Sequence, residues 1–242
     1  MIPWRIVDSS VGPDGTRIEL ARRGLEWEVR ADGTTLMSNR MHGSEEELAR
    51  RAFGRAPGAT RVLVGGLGLG YSLRAALDLL PRRGRATVAE LSPKVVSWNR
   101  SHVAHLAGRP LDDRRARLFE GDVRRAIAET GPYDVILLDV DNGPGMLVHD
   151  TNAGLYSAAG VAACRAALSA GGALAVWSLF PDDHYLRRLR KAGFDADWLW
   201  VHARDRGRKR HVLFLASKRR SPAERAATSG SGRTRTGPRS GG

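Results

Sequence analysis

The sequence has a single cysteine, four lysines among its 39 basic residues, and no long apolar run. One cysteine excludes an intrachain disulfide, and Cys164 lies in a helix-like apolar stretch, where we expect a buried structural thiol. A transmembrane helix needs about 18 or more consecutive apolar residues, and the amino terminus lacks the residue order of a secretion signal. These absences predict a soluble, cytoplasmic protein that makes no membrane contact.

The formal net charge of +13 is concentrated at one end of the chain. Residues 218–242 contain seven Lys or Arg and one Glu, so they carry nearly half of the excess positive charge. This segment is poor in apolar residues and rich in Gly, Ser, Thr, Pro and Arg, which predicts a disordered basic tail. The positive charge of this tail supports weak contact with a polyanion such as nucleic acid.

The rest of the chain predicts a sheet with crossover helices. From residue 59 onward β-like and helix-like runs alternate, which is typical of a parallel α/β sheet. The predicted strands are 60–66, 85–91, 116–122, 133–139, 171–179, 195–203 and 210–216, the last two forming a hairpin. Upstream, three short strands with glycine turns predict a small β subdomain, with Asp32-Gly33 as a hairpin turn. The predicted units are a β subdomain with a connecting helix (1–58), a Rossmann-like α/β domain (59–217) and the tail (218–242).

Two helix starts can be predicted from capping residues. Ser44 and Glu47 have the spacing of a capping box, which predicts the start of the connecting helix. Ser92 followed by Pro93 predicts the start of a helix over 93–106.

A glycine-rich loop, GGLGLG at residues 65–70, follows the first strand of the α/β domain. A phosphate-binding loop of the NTPase type requires a lysine where this chain has Tyr71. The dinucleotide fingerprint requires a glycine at the same position. What remains is the alternation of Gly66, Gly68 and Gly70, which favours an adenosyl sulfonium lying against bare backbone.

Acidic residues end the next three strands of the sheet. Glu90 is placed to accept ribose hydroxyls and Asp122 to receive an adenine amine, and capping of the next helix is the structural alternative for each. Asp139 leaves a fully apolar strand and enters a Gly-Pro loop, which favours a chemical role. His102 and His105 have no matching acidic or Cys partner, so we expect a surface pair and no metal site.

These motifs resemble the spermidine synthase family, the polyamine aminopropyltransferases, which share the class I S-adenosylmethionine-dependent methyltransferase fold. The similarity extends over roughly residues 20–217 and includes the glycine loop, VAELSP, Gly121-Asp122, and YDVILLD with Gly143-Pro144 behind it. It implies an α/β, Rossmann-like seven-stranded sheet with a small N-terminal β subdomain. It also implies decarboxylated S-adenosylmethionine as co-substrate, a small-molecule amine acceptor and a homodimer.

The resemblance assigns roles to individual residues. Gly66, Gly68, Gly70, Glu90 and Asp122 would hold the adenosyl group, and Asp139 would be the catalytic acidic residue. The remaining candidates belong to the acceptor side: Asp141 would orient a cationic acceptor, and Asn142, Trp177 and Tyr185 would line its site, ordinary core packing being the alternative for the two aromatic residues.

Two other functions stay open at this stage. The family carries an aspartate in the glycine loop that contacts the aminopropyl amine, and Gly68 stands at that position here. A methyltransferase that uses intact S-adenosylmethionine on another nucleophilic acceptor is therefore the first alternative. A nucleoside-binding protein without turnover is the second, and Asp139 argues against it.

Overall fold

The computed structural model describes residues 2–12, 15–140, 143–144, 153–204 and 207–219. The strands within these residues are β1 (Arg5–Val11), β2 (Arg17–Arg23), β3 (Glu26–Ala31), β4 (Thr34–Ser38), β5 (Arg61–Gly65), β6 (Arg85–Glu90), β7 (Ala116–Glu120), β8 (Tyr133–Leu138), β9 (Leu168–Ser178), β10 (Phe194–His202) and β11 (Arg210–Lys218). The α-helices are α1 (Gly43–Arg55), α2 (Tyr71–Leu79), α3 (Pro93–Arg100), α4 (Val123–Glu129), α5 (Ala153–Tyr156), α6 (Ala158–Ala167) and α7 (Asp183–Lys191).

Seven strands form one large sheet in the order β10-β11-β9-β8-β5-β6-β7. The pairs from β7 through β9 are parallel, whereas β11 is antiparallel to both β9 and β10. This arrangement confirms the predicted Rossmann-like sheet with its terminal hairpin. The chain continues from β5 to β6 on one side and places β8 on the other, so a crevice opens at the carboxyl ends of β5 and β8.

The central strand β8 is buried on both faces, as expected for a strand between two layers of helices. Its residues Val135, Ile136, Leu137 and Leu138 are at most 1% exposed. Burial of each such side chain contributes about 1.5–3 kcal/mol, so β8 is a rigid support for whatever follows its carboxyl end.

The N-terminal strands form a separate antiparallel sheet in the order β1-β2-β3-β4. The sequence predicted three strands and missed β1, because its consecutive residues Ile6 and Val7 are both substantially exposed and a register shift interrupts the pairing there. The predicted turn between β3 and β4 is confirmed, since Asp32 and Gly33 both have positive φ angles, 46° and 79°.

The two predicted helix starts have different outcomes. The Ser92 hydroxyl accepts the Val95 N–H and Pro93 is the first helical residue, which confirms the cap of α3. The connecting helix is confirmed as α1, but its capping box was wrong: α1 begins at Gly43, and no side chain caps its first turn. The predicted helix over 93–106 ends at Arg100, where the Ser101 hydroxyl hydrogen-bonds to the carbonyl of Ser97.

A search of the described helices for a membrane-spanning segment finds none that is long and apolar enough.

Candidate active site

The glycine loop lies against the backbone that follows β8. Gly66 has φ +88°, and a Cβ at this position would overlap the carbonyl oxygen of Asp139. The Gly66 N–H also donates to the carbonyl of Ala89 at 2.9 Å, so the loop is fixed on both sides. Gly70 then forms the N-cap of α2. A residue with a side chain cannot occupy position 66 without moving the chain that carries Asp139.

Gly68, at the centre of this loop, is covered by a side chain from the N-terminal sheet. It has φ +50°, and a Cβ there would lie 3.0 Å from the sulfur of Met37 in β4. Its carbonyl accepts a hydrogen bond from the side-chain amide of Asn99 at 2.7 Å. The thioether of Met37 therefore occupies the space into which a side chain at position 68 would extend.

Glu90 lies at the end of β6 and faces the same loop. Its two carboxylate oxygens accept the N–H groups of Leu67 at 2.9 Å and Ser92 at 2.8 Å. Burial raises the pKa of Glu90, and these backbone hydrogen bonds partly offset that effect. The structure thus places Glu90 beside the glycine loop, and its binding of ribose hydroxyls stays a prediction.

Asp122 follows β7 and caps α4. One carboxylate oxygen accepts the Arg124 N–H at 2.8 Å, and the other pairs with the Arg124 guanidinium. The hydrogen bond from Arg124 is the main cause of the lowered pKa of Asp122, although partial burial opposes it. Asp122 therefore caps the next helix, which is the structural alternative to ligand binding. Binding of adenine by this side chain stays a prediction.

Asp139 stands directly after β8, in the crevice beside the loop. Its carboxylate accepts the Ser72 hydroxyl at 2.7 Å, and its N–H donates to the carbonyl of Gly65 at 2.9 Å. It lies deep among other atoms but keeps partial access to solvent. Burial raises the pKa of Asp139 to about 6, which suits a group that is ionised at neutral pH and still accepts a proton.

The other predicted acceptor residues differ in their placement. Asp141 and Asn142 lie outside the described residues. Trp177 is partly exposed near the end of β9, and its indole N–H donates to the Ser44 hydroxyl at 3.1 Å. Tyr185 is fully buried, and its ring packs edge-on against Tyr156 and Phe214. Tyr185 is thus a core residue and does not line the crevice, because α7 directs it into the hydrophobic layer behind the sheet.

A polar cluster that the sequence did not predict lies at the same edge of the sheet as Asp139. The Ser44 hydroxyl lies 2.5 Å from a carboxyl oxygen of Glu45 and 2.9 Å from Nδ1 of His211, in addition to its contact with Trp177. These residues come from α1, β9 and β11, and no local motif links them. The only local sign was the acidic first turn of α1, which is also the usual pattern of an ordinary helix start.

The cluster has unusual electrostatics. Burial raises the pKa of Glu45 to about 8, and the nearby charge of Asp139 adds to that rise. Burial lowers the pKa of His211 to about 4. Burial also raises the pKa of Tyr71, at the start of α2, to about 12, with further contributions from Glu45 and Glu46. The negative charge of Asp139 therefore disfavours ionisation of Glu45, while the imidazole of His211 is neutral at physiological pH.

Within the described part of the chain, no group of three or more His, Cys, Asp or Glu could hold a metal ion. His102 and His105 are both exposed, and the His105 ring meets Trp27 edge-on at 6.3 Å between ring centroids.

No family model matches the chain. A curated relative, a polyamine aminopropyltransferase from Bacillus mycoides (strain KBAB4), is 34% identical over 102 residues. That match covers 42% of this chain, and the chain spans only 36% of the length of that relative.

Two solved structures resemble the whole architecture. One is a spermidine synthase in complex with the transition-state analogue AdoDATO, with a TM-score of 0.71 and 22% identity. The other is spermidine synthase from Thermotoga maritima, with a TM-score of 0.72 and 22% identity. Each alignment covers 90% of this chain and 74% of the solved chain. The chain is therefore similar to spermidine synthases in fold, with the seven-stranded Rossmann-like sheet that its sequence predicted.

Proposed function

We propose that this chain is a transferase of polyamine biosynthesis that moves an aminopropyl group from decarboxylated S-adenosylmethionine to an amine acceptor. The observation that carries the proposal is the position of Asp139 at the end of β8, beside the glycine loop and hydrogen-bonded to Ser72. The names of the curated relative and of the two similar structures support the same reaction class.

Donor binding is assigned to the loop and the strand ends around it. The backbone of the glycine loop and the carboxylate of Glu90 would hold the adenosyl ribose, and Asp122 would receive the adenine amine. The donor supplies a carbon that is activated by its positively charged sulfur. No metal is needed for this displacement, because the thioether is already a good leaving group.

Asp139 would serve first as an anchor and then as a base. The acceptor amine is protonated at neutral pH, and its ammonium binds the Asp139 carboxylate through a charge-assisted hydrogen bond. Asp139 then takes one proton, and the freed nitrogen lone pair attacks the carbon bonded to sulfur. The nitrogen–carbon bond forms, the carbon–sulfur bond breaks, and its electron pair stays on the thioether. The Ser72 hydrogen bond keeps the carboxylate oriented throughout.

Methyl transfer from intact S-adenosylmethionine is the second candidate. It is favoured by Gly68, which brings no carboxylate into the loop, and by Met37, which covers that position. Such a loop has no group of its own that would prefer an aminopropyl ammonium. Mass spectrometry of a panel of amines incubated with each donor separates the two candidates, since the product gains either an aminopropyl or a methyl group.

The Asp139→Asn variant tests the proposed base. We expect turnover to fall at least about a hundredfold, as is typical for loss of a general base, while donor affinity stays within a few-fold. Asp134→Asn, at the opposite end of β8, is the matched control and should retain turnover. Unchanged turnover in Asp139→Asn would remove Asp139 from the mechanism. Donor binding without any product in the wild type would favour a nucleoside-binding protein instead.

The homodimer and the polyanion contact of the tail stay predictions. The described residues end at 219, so most of the tail lies outside them.

A further inference from the structure

The crevice contains a second carboxyl group that the proposed mechanism does not use. Glu45 enters from the first turn of α1, a different element from the strand that carries Asp139. Glu45 keeps partial access to solvent. Its carboxyl group lies 2.5 Å from the Ser44 hydroxyl, which binds the indole of Trp177, and Trp177 follows the β9 residue that pairs with the last residue of β8. Asp139 follows that last residue of β8, and its charge acts on Glu45. Among the described residues, no Lys or Arg is hydrogen-bonded to either carboxyl group. Two carboxyl groups at one edge of the sheet, with no internal cation paired to either, attract a cation from outside.

We propose that Glu45 and Asp139 act as one acidic pair, which carries a single negative charge in the free protein and a second one when a protonated amine binds. Glu45 is then a further acceptor-binding residue, and it releases its proton to solvent as the ammonium enters. The inference rests on the proposed function in one respect, that the acceptor is an amine. It adds the residue that completes the acceptor site and the charge change that accompanies binding.

The Ser44 hydroxyl explains how Glu45 can exist in both charge states. A hydroxyl donates one hydrogen and accepts two. When Glu45 is protonated, it and the Trp177 indole donate to Ser44, and Ser44 donates to Nδ1 of His211. When Glu45 is ionised, Ser44 donates to Glu45 and accepts from Trp177 and from the other neutral tautomer of His211. The one donor site and the two acceptor sites of the Ser44 hydroxyl therefore have hydrogen-bond partners in both charge states of Glu45.

His211 is free to change tautomer because its second ring nitrogen is not engaged. Nε2 is buried and has no hydrogen-bond partner among the described residues. A partner at Nε2 would fix one tautomer and thereby fix the direction of the Ser44 hydrogen bond. Burial, assisted by the charge of Lys209, lowers the pKa of His211 to about 4, so the ring stays neutral at physiological pH.

The other ionisable groups around Glu45 favour its protonated form in the free protein. Asp139 faces it from the end of β8, and Glu46 follows it on α1. Tyr71 faces it from α2, with a pKa of about 12, and is neutral throughout the relevant range. The His42 ring stacks on Tyr71 at 4.0 Å and hydrogen-bonds to Glu46. An entering ammonium reverses the balance, since it stabilises both carboxylates.

The first measurement needs no ligand. Protein labelled with ¹³C at the glutamate carboxyl carbons is titrated by NMR, and the signal missing in Glu45→Gln identifies Glu45. We expect this signal to titrate near pH 8, which is far above the ordinary value for glutamate. Glu47→Gln is the matched control: Glu47 lies on the same helix, is paired with Arg50 and Arg51, and should titrate low.

The second measurement uses 1,4-diaminobutane as the probe in calorimetric titrations at pH 7, in buffers with different ionisation enthalpies. We expect about one proton to be released per amine bound in the wild type and in Glu47→Gln, and none in Glu45→Gln. The affinity of the wild type should rise about tenfold between pH 7 and pH 9, and that of Glu45→Gln should not.

The outcomes separate this proposal from the proposed function. A Glu45 signal that titrates near pH 4.5 overturns the acidic pair, whatever the activity. Proton release that persists in Glu45→Gln also overturns it. Aminopropyl transfer in the product assay together with either of these results leaves the proposed function standing without the pair. If Glu45 titrates near pH 8 and no group is transferred in the product assay, only the proposed function is contradicted.

Discussion

The backbone of Gly66 lies against the backbone carbonyl of Asp139, because the missing side chain at position 66 leaves room for that oxygen. The spacing of the glycines predicted the tight loop. It could not predict the contact with Asp139, because that contact joins the ends of two strands that are far apart in the sequence.

Gly66→Ala should therefore damage both stability and binding. A Cβ at φ +88° is strained, and here it also overlaps a carbonyl oxygen, so we expect a loss of about 2–4 kcal/mol in the free energy of unfolding. Affinity for an adenosyl sulfonium should fall with it. Chemical denaturation and calorimetric titration measure the two effects.

Gly54→Ala is the control for Gly66→Ala. Gly54 lies in α1, and a Cβ there would meet nothing within 4 Å. Because alanine favours a helix more than glycine does, this variant should be more stable than the wild type by up to about 1 kcal/mol. Equal effects of the two substitutions would show that the loop tolerates a side chain at position 66.

Residues whose positions depend on the local chain were predictable, and the position of Glu45 was not. Glu90 and Asp139 follow strands that the hydrophobic pattern already marked, and parallel strand ends meet at one edge of a sheet. Glu45 reaches the same edge from a helix that precedes the sheet, and nothing in its neighbouring residues fixes that path. Tyr185 is the opposite case. The sequence predicted that it lines the acceptor site, but its position on α7 places it in the core.

Two serines at helix starts show when a cap can be predicted. The Ser92 hydroxyl accepts a hydrogen bond from the backbone of its own helix, at Val95, and it caps α3 as expected. Ser44 has the same residue type and a suitable glutamate, but its hydroxyl is used by Glu45, His211 and Trp177. Tertiary partners compete with the local cap, and a local pattern does not include them.

Asp122 combines a cap with a predicted ligand contact, and a substitution can separate them. Serine is as good an N-cap as aspartate, so Asp122→Ser should change the free energy of unfolding by less than about 1 kcal/mol. Its shorter side chain cannot reach an adenine amine. We therefore expect donor affinity to fall about tenfold, which corresponds to about 1.4 kcal/mol in a binding titration.

Asp122→Asn completes this comparison, because it keeps both the cap and an oxygen at the original position. Its donor affinity should stay within a few-fold of the wild type. If serine and asparagine both leave donor affinity unchanged, Asp122 is a cap and does not contact adenine.

The two sheets are joined by Met37, by α1 and by a contact between β1 and α3. Met37 of the N-terminal sheet covers the glycine loop, and α1 carries Glu45 from that sheet to the crevice. A third link joins β1 to α3: the Asp8 carboxylate accepts the Trp98 indole N–H at 2.9 Å and pairs with Lys94 at 2.9 Å. Hydrogen bonds from Lys94 and Trp98 lower the pKa of Asp8 to about 2.

This link predicts a dependence of stability on acid. Because the pKa of Asp8 is lower in the folded than in the unfolded chain, its contribution is fully present above the ordinary value of 3.8 and is lost as the pH falls toward about 2. Asp8→Asn keeps an oxygen for the buried Trp98 indole but removes the charge that faces Lys94. We expect its melting temperature to be lower than that of the wild type at pH 6, with the two values converging near pH 2.

Asp112→Asn provides the comparison for Asp8→Asn, since Asp112 forms an exposed pair with Arg109 at 3.7 Å and should contribute little at any pH. Thermal melts of the three proteins between pH 2 and pH 6 test the expectation. A constant difference between Asp8→Asn and the wild type across this range would mean that the charge of Asp8 does not link the sheets. A difference confined to pH above 3 would instead show that acid weakens the link between β1 and α3.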